Sequence, residues 1–234
     1  MDGISERLAS LNNQVRDACA RANRSFDDIL LLPVTKRQSI EAMKQALSLG
    51  LNHFAENYLQ ELEEKQLAFQ GQKIHWHFIG RLQSKKIKSL VGRVQLIHSV
   101  DRVDLLEKIS ARSVQSNVVQ SVLLQVNTSM EDSKGGFAAN ELVDQFRLVE
   151  GLPNIRIEGL MAMPPLVEDP EEVRRDFRRL SDLRNELQKR RSETSHSLKH
   201  LSMGTSGDFP VAIQEGATII RVGTALMGPR PGYE

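Results

Sequence analysis

Eight short apolar runs alternating with amphipathic helical stretches predict an α/β chain closed into a single (β/α)8 TIM barrel with an extra N-terminal helix. No Pro/Gly/Ser-rich linker or low-complexity segment divides residues 1–234, so one domain is expected, a size that barrels reach undivided. An open doubly wound sheet is the alternative, but no Gly-x-Gly-x-x-Gly follows the first strand to support it.

Ile4, Leu8, Leu11, Val15, Ala18, Cys19 and Ala22 recur at helical spacing and form the apolar side of the opening helix. The first strand is Ile29-Leu30-Leu31-Leu32-Pro33-Val34-Thr35-Lys36, a continuous apolar run of the kind covered on both faces in parallel sheets. Alternation puts Leu32, Val34 and Lys36 on one face of it. Ser39 then caps a helix that Gly50 stops, and a strand at Asn52 to Ala55 leads into Glu56-Asn57-Tyr58. The helix that follows is expected to bury Leu59, Leu62 and Leu67 and to turn Glu61, Glu63, Glu64 and Lys65 outward. Strand three is His75 to Ile79, after which Ser84 caps a helix ended by Gly92.

Val94 to Ile97 is strand four, with a helix capped by Asp101 behind it, and Val118 to Val126 is strand five. A long polar loop, Asn127 to Gly136, precedes a helix bearing Leu142, Val143, Phe146 and Val149. Ile155 to Leu160 is strand six, and Asp169 with Pro170 opens a long helix along Val173, Phe177, Leu180, Leu183 and Leu187. Its arginines (Arg174, Arg175, Arg178, Arg179) are interleaved with acids and read as a solvated face. Leu198 to Ser202, a short helix at Pro210 to Gln214, and Thr218 to Val222 complete the pattern.

Lys plus Arg number 31 and Asp plus Glu 30, so no global field draws nucleic acid or a membrane surface and any anion site must be local. The single cysteine, Cys19, rules out an internal disulfide. With no basic-apolar leader at Met1 to Glu6 and no stretch of membrane-spanning length, the expected place is the cytoplasm.

Barrels carry their chemistry at the carboxyl ends of the strands, where Lys36 falls. Buried beside the like charge of Arg37, its amine would come within reach of the neutral nucleophilic form that condenses with aldehydes. A solvated strand-end lysine is the plainer alternative. The turns after strands seven and eight, Ser202 to Asp208 and Arg221-Val222-Gly223-Thr224, suit a phosphate: glycines free backbone N–H groups, and Ser206 and Thr224 add hydroxyls. The same glycines would equally serve tight turns. Arg221 shares a face with Ile219 and Gly223, and strand eight closes on strand one, so an inward Arg221 would stand near an inward Lys36. Two buried cations call for an anionic partner. A ligand with a phosphate, a ring acceptor and an aldehyde satisfies them, a description met by pyridoxal 5'-phosphate. A structural carboxylate from Glu56, Glu158 or Asp208 is the other possibility.

Val34-Thr35-Lys36, Ala55-Glu56-Asn57-Tyr58-Leu59-Gln60-Glu61, His75-Trp76-His77-Phe78-Ile79-Gly80-Arg81-Leu82-Gln83, Gly159-Leu160-Met161-Ala162, Leu201-Ser202-Met203-Gly204 and Arg221-Val222-Gly223-Thr224-Ala225 span nearly the whole chain. Together they resemble the pyridoxal phosphate homeostasis protein family, single barrels similar to the amino-terminal domain of alanine racemase. The resemblance implies that Lys36 holds pyridoxal 5'-phosphate as a Schiff base and that Ser206 with the Gly223-Thr224 backbone holds its phosphate. It further implies that Arg221 faces the pyridine nitrogen and that Asn57 lines the pocket. The chain departs from the family's pattern at Thr205-Ser206-Gly207-Asp208, where Met-Ser-x-Asp is expected, and at Lys85, where Asn is expected.

Racemisation on this cofactor needs a second acid/base facing Lys36. In the racemase a second domain supplies a tyrosine. Here little follows strand eight, and the tyrosines are Tyr58, on the rim, and Tyr233. The expected function is therefore non-catalytic: storage, buffering or delivery of pyridoxal phosphate by a monomer in transient contact with apoenzymes. Lysines such as Lys134 are open to secondary binding. A single-domain amino-acid racemase is the competing enzyme reading, and a metal-dependent hydrolase using His75 and His77 is a third, for which no matched carboxylate completes the ligand set.

Overall fold

The computed structural model describes residues 3–131, 135–192 and 196–229; Lys134 and Tyr233 lie outside them. Its wall is built of eight parallel strands: β1 (Leu30–Pro33), β2 (His53–Glu56), β3 (His75–Phe78), β4 (Leu96–Val100), β5 (Gln120–Gln125), β6 (Ile155–Met161), β7 (His200–Ser202) and β8 (Ile219–Val222). They lie in the order β1-β8-β7-β6-β5-β4-β3-β2. The two end strands of that order meet through an isolated bridge between Val34 and Ala55, where the Thr35 N–H donates to the Ala55 carbonyl at 3.0 Å. A barrel closed by a thin seam at this point results. The helices are α1 (Ile4–Arg21), α2 (Ile40–Ser48), α3 (Leu59–Ala68), α4 (Val103–Gln115), α5 (Ala139–Glu150), α6 (Arg174–Arg190), α7 (Phe209–Gln214) and α8 (Thr224–Met227).

Each strand is covered on both faces, so two apolar clusters form. The larger, with Phe54, Trp76, Phe78, Phe146 and Phe177, fills the layer between wall and helices. The smaller gathers Leu32, Val34, Ala55, Ile79, Leu96, Leu123, Met161 and Ile219 inside the barrel. The extra N-terminal helix α1 buries Leu11, Val15 and Cys19. It is tied to the last elements by Arg7, whose Nε donates to the Leu226 carbonyl at 2.8 Å, and the segment after it by Arg24, whose Nη1 donates to the carbonyls of Ile213 and Ala217. Ser39 caps α2 as expected, its hydroxyl accepting from the Ala42 N–H at 3.1 Å.

Several elements differ from the sequence reading. The segment after Gln83 is a 3-10 turn, Ser84–Ser89, and α4 has Arg102 rather than Asp101 at its cap. Asp101 instead pairs with the Arg102 guanidinium at 2.7 Å. β7 starts at His200, because Leu198 adopts φ 47, a left-handed conformation no strand accommodates. The arginines of α6 are latches more than a solvated face: Arg174 and Arg178 both grip Glu215 at the end of α7, and Arg179 donates to the Thr128 carbonyl. Among the described residues no helix is long and apolar enough to cross a membrane.

Candidate functional site

β1 ends at Pro33, with one further bridging residue, so the alternation expected to carry Lys36 inward stops short of it. Lys36 lies half-buried in a turn that Arg37 closes at φ 59. A non-glycine residue held left-handed requires surrounding bonds to hold it there. Those bonds come from α3. The Arg37 N–H donates to Glu61 Oε2 at 2.6 Å, and Lys65 Nζ reaches the Thr35 carbonyl at 2.6 Å, Glu56 Oε1 at 2.7 Å and Glu61 Oε2 at 3.0 Å. The Thr35 hydroxyl donates to the same Glu56 oxygen.

Lys65 is therefore buried, against the outward position its helix pattern suggested, and Glu56 faces Lys65 rather than Arg221. The reason is alternation: Ala55 points into the barrel, so Glu56 points out of it toward α3. Burial pushes the Glu56 carboxyl above the usual carboxylate range, with Lys65 and Thr35 opposing.

Arg221 stands inside the barrel as expected, 3 % exposed. Its Nη1 donates to the Ser202 carbonyl at 2.7 Å and to Ser202 Oγ at 2.8 Å, and its Nη2 to the Ala162 carbonyl at 3.0 Å. No described carboxylate bonds it: Glu158 accepts from Ser121 and Ser197, and Asp208 accepts from the Thr205 hydroxyl at 2.9 Å. Burial pushes the guanidinium pKa down to about 10, which leaves it charged near neutrality.

Behind Arg221 the interior is polar. His98 Nδ1 lies 2.9 Å from Ser202 Oγ, His98 Nε2 lies 2.9 Å from His77 Nδ1, and His77 Nε2 lies 3.0 Å from His53 Nδ1. β4 and β7 are not neighbours in the wall, so the His98–Ser202 contact crosses the lumen. His75 stacks on His53 with ring centroids 4.5 Å apart. Among the described residues no group of three His, Cys, Asp or Glu side chains is placed to hold a metal ion.

The ends of β8, β1 and β2 adjoin, so Arg221, Gly223, Thr224, Lys36 and Asn57 gather at one side of the mouth. Val34, two residues before Lys36, donates from its N–H to the Val222 carbonyl at 2.9 Å. Ser206 joins them, its hydroxyl accepting from the Ala225 N–H at 3.4 Å. Two glycines are required for this packing. At Gly80 a Cβ would sit 1.9 Å from the Asn57 carbonyl oxygen, and Gly204, at φ +91, would drive one into Ala212 and Phe209. A groove of about 870 Å³ beside α5 and α6 touches none of these positions.

The donor set suits an anionic ligand that also carries a ring acceptor. Three guanidinium N–H groups of Arg221 are taken by protein oxygens, and the Nε–H meets no acceptor among the described residues. The sequence reading missed the histidine row and the Lys65 clamp. His75-x-His77 was a visible signal for the first, but the partner of His77 lies on a strand whose place depends on closure.

The alanine racemase N-terminal domain family model matches residues 7–231. A pyridoxal phosphate homeostasis protein of Aquifex aeolicus is 44% identical over 225 residues, covering 96% of this chain and 97% of the relative. One from Pseudomonas aeruginosa is 38% identical, covering 98% and 97%. The structure of PipY of Synechococcus elongatus with PLP bound is similar at TM-score 0.83 and 33% identity, covering 96% of this chain and all of PipY. A Clostridium difficile alanine racemase shares the fold at TM-score 0.74 and 16% identity, and this chain spans 58% of it.

Proposed function

The chain belongs to the alanine racemase N-terminal domain family and, within it, to the pyridoxal phosphate homeostasis proteins, and on that premise we propose that it binds pyridoxal 5'-phosphate at the barrel mouth as a non-catalytic carrier. The observation that carries the reading is Arg221, a buried cation bonded to no described carboxylate, set beside the turns of Ser206, Gly223 and Thr224. Bound there, the cofactor supplies an aldehyde for the Lys36 amine, a phosphate for Ser206 and the 223–224 backbone, and a ring nitrogen for Arg221. Asn57 closes the β2 side of the same pocket.

Arg221 tempers turnover without forbidding it, and the lack of an opposing tyrosine among the described residues weighs more. A guanidinium donates hydrogen bonds and keeps its protons near neutrality, so a ring nitrogen against it stays unprotonated and stabilises a carbanion poorly. Tyr58, 42 % exposed at the start of α3, stands on the rim rather than opposite Lys36. The role that follows is storage, buffering or delivery of the cofactor, by a monomer in the cytoplasm that meets apoenzymes transiently.

The visible spectrum of the purified protein with pyridoxal 5'-phosphate tests the assignment. Wild type should gain the absorbance band of the lysine-bound aldehyde and Lys36→Ala should not; a band that persists in the variant refutes the role of Lys36. Incubation with L-amino acids in deuterated water tests the rest, since α-proton exchange at a turnover rate would make the protein a racemase.

A further inference from the structure

Four polar side chains behind Arg221 form one continuous row, and the need to pair the buried hydroxyl hydrogen nearest Arg221 sets the direction of the bonds in it. Arg221 can only donate, so Ser202 Oγ accepts from its Nη1 at 2.8 Å. The one remaining partner of that hydroxyl among the described residues is His98 Nδ1, at 2.9 Å. The oxygen can accept twice, but Ser202 is 0 % exposed and its own hydrogen finds an acceptor only if His98 Nδ1 is unprotonated, which places the ring hydrogen on Nε2. His98 Nε2 then donates to His77 Nδ1 at 2.9 Å, and His77 Nε2 to His53 Nδ1 at 3.0 Å. Each ring is left as the neutral Nε2–H form. Burial is what keeps the rings neutral, His77 and His98 being 1 % and 0 % exposed.

A row whose members each have one permitted tautomer behaves as a unit. An added proton on His53 or His77 sets N–H against N–H at the next contact, one on His98 sets N–H against the Ser202 hydroxyl hydrogen, and loss of His98 leaves that hydroxyl without the acceptor that holds its lone pair toward the guanidinium. We propose that His98, acting through Ser202, is a positioning residue for Arg221, and that His77 and His53 fix the tautomer of His98. Together they form a one-way hydrogen-bond relay, donating from the ring-nitrogen position toward His53 at the amino-terminal end of β2. The link to a ligand rests on the reading that the pyridine nitrogen of pyridoxal phosphate meets Arg221; the direction of the relay does not.

Two measurements separate these parts. In the ligand-free protein, 15N chemical shifts should show all three rings in the Nε2–H form, and Ser202→Ala should release His98 from that single tautomer. A protonated Nδ1 on His98 in wild type overturns the relay. The second measurement compares pyridoxal 5'-phosphate with its 1-deaza analogue, whose ring has C–H in place of nitrogen. His98→Phe should weaken pyridoxal phosphate by about tenfold, the scale of one misplaced hydrogen bond, and leave the analogue unchanged. His98→Gln, which keeps an acceptor and a donor, should restore part of the loss. Equal loss for both ligands would mean that His98 is merely structural and would refute the positioning role. Should His98→Phe not fold, the same comparison in Ser202→Ala decides the question. If wild type binds neither ligand, the cofactor reading fails while the tautomer measurement still decides the relay.

Discussion

Replacing Lys65 by methionine keeps the length of the side chain and removes its charge, which isolates the carboxylate of Glu56. Glu56 is 0 % exposed, and Lys65 Nζ lies 2.7 Å from it and 2.6 Å from the Thr35 carbonyl. Removing one member of such a buried pair costs about 3–5 kcal/mol, because the other charge is left without compensation. For a chain of this size that corresponds to a fall in Tm of roughly 6–20 °C. The loss should depend on pH. Burial already raises the folded-state pKa of Glu56, and without Lys65 the raise grows. A group raised in the folded state contributes its stability below the unfolded pKa and loses it as pH rises through the folded value. Lys65→Met should therefore be more damaging at pH 7.5 than at pH 5, and adding Glu56→Gln should recover part of the difference. Urea unfolding at both pH values measures this. A penalty below about 1 kcal/mol, or one equal at both pH values, would refute the assignment of a buried charge pair.

Acid should destabilise the protein through its histidines. Burial lowers the pKa of His53 to about 4, of His77 to about 3 and of His98 well below 6.5, so their stability is present above the unfolded value and lost as pH falls through the folded ones. Near pH 5 unfolding should take up nearly one proton for each of these three rings, a slope of about 1.4 kcal/mol per pH unit for each, and a flat dependence would show these rings charged in the native state. Gly80→Ala should lower stability by about 1–3 kcal/mol or more, since the new methyl meets the Asn57 carbonyl at 1.9 Å; differential scanning calorimetry near wild-type Tm would contradict the close approach. Pyridoxal 5'-phosphate at a hundred times its Kd should raise wild-type stability by about 2.7 kcal/mol, and less at the same concentration in Lys36→Ala, read by thermal shift.

The strands were legible because each is buried twice, which leaves unbroken apolar runs such as Leu30 to Val34, and the helix between β1 and β2 because Ser39 and Gly50 mark its ends in local chemistry. What escaped notice depends on non-local pairings. Lys65 looked solvent-facing among Glu61, Glu63 and Glu64 until α3 was laid against the outward face of β2, where Glu56 awaits it. The turn at Lys36 is set by a left-handed Arg37, a conformation no propensity favours and one that Glu61 of the distant helix α3 helps to sustain. His98 meets Ser202 only because the sheet curls until β4 faces β7 across the lumen. Arg221 was legible as inward and cationic, but its oxygen partners, Ser202 and Ala162, could not be picked over Glu56, Glu158 and Asp208 without the register.

The Val34–Ala55 bridge leaves β1 and β2 without a shared ladder below it. When the wall breathes, this is a place where it should part readily, since one rung resists less than the runs that join β1 to β8 or β5 to β6. A guest gripped by Lys36, three residues past β1, on one bank and lined by Asn57, just past β2, on the other would rivet that gap. Its arrival would then register as slower amide exchange at Thr35, making a thin part of the cylinder one that feels occupancy.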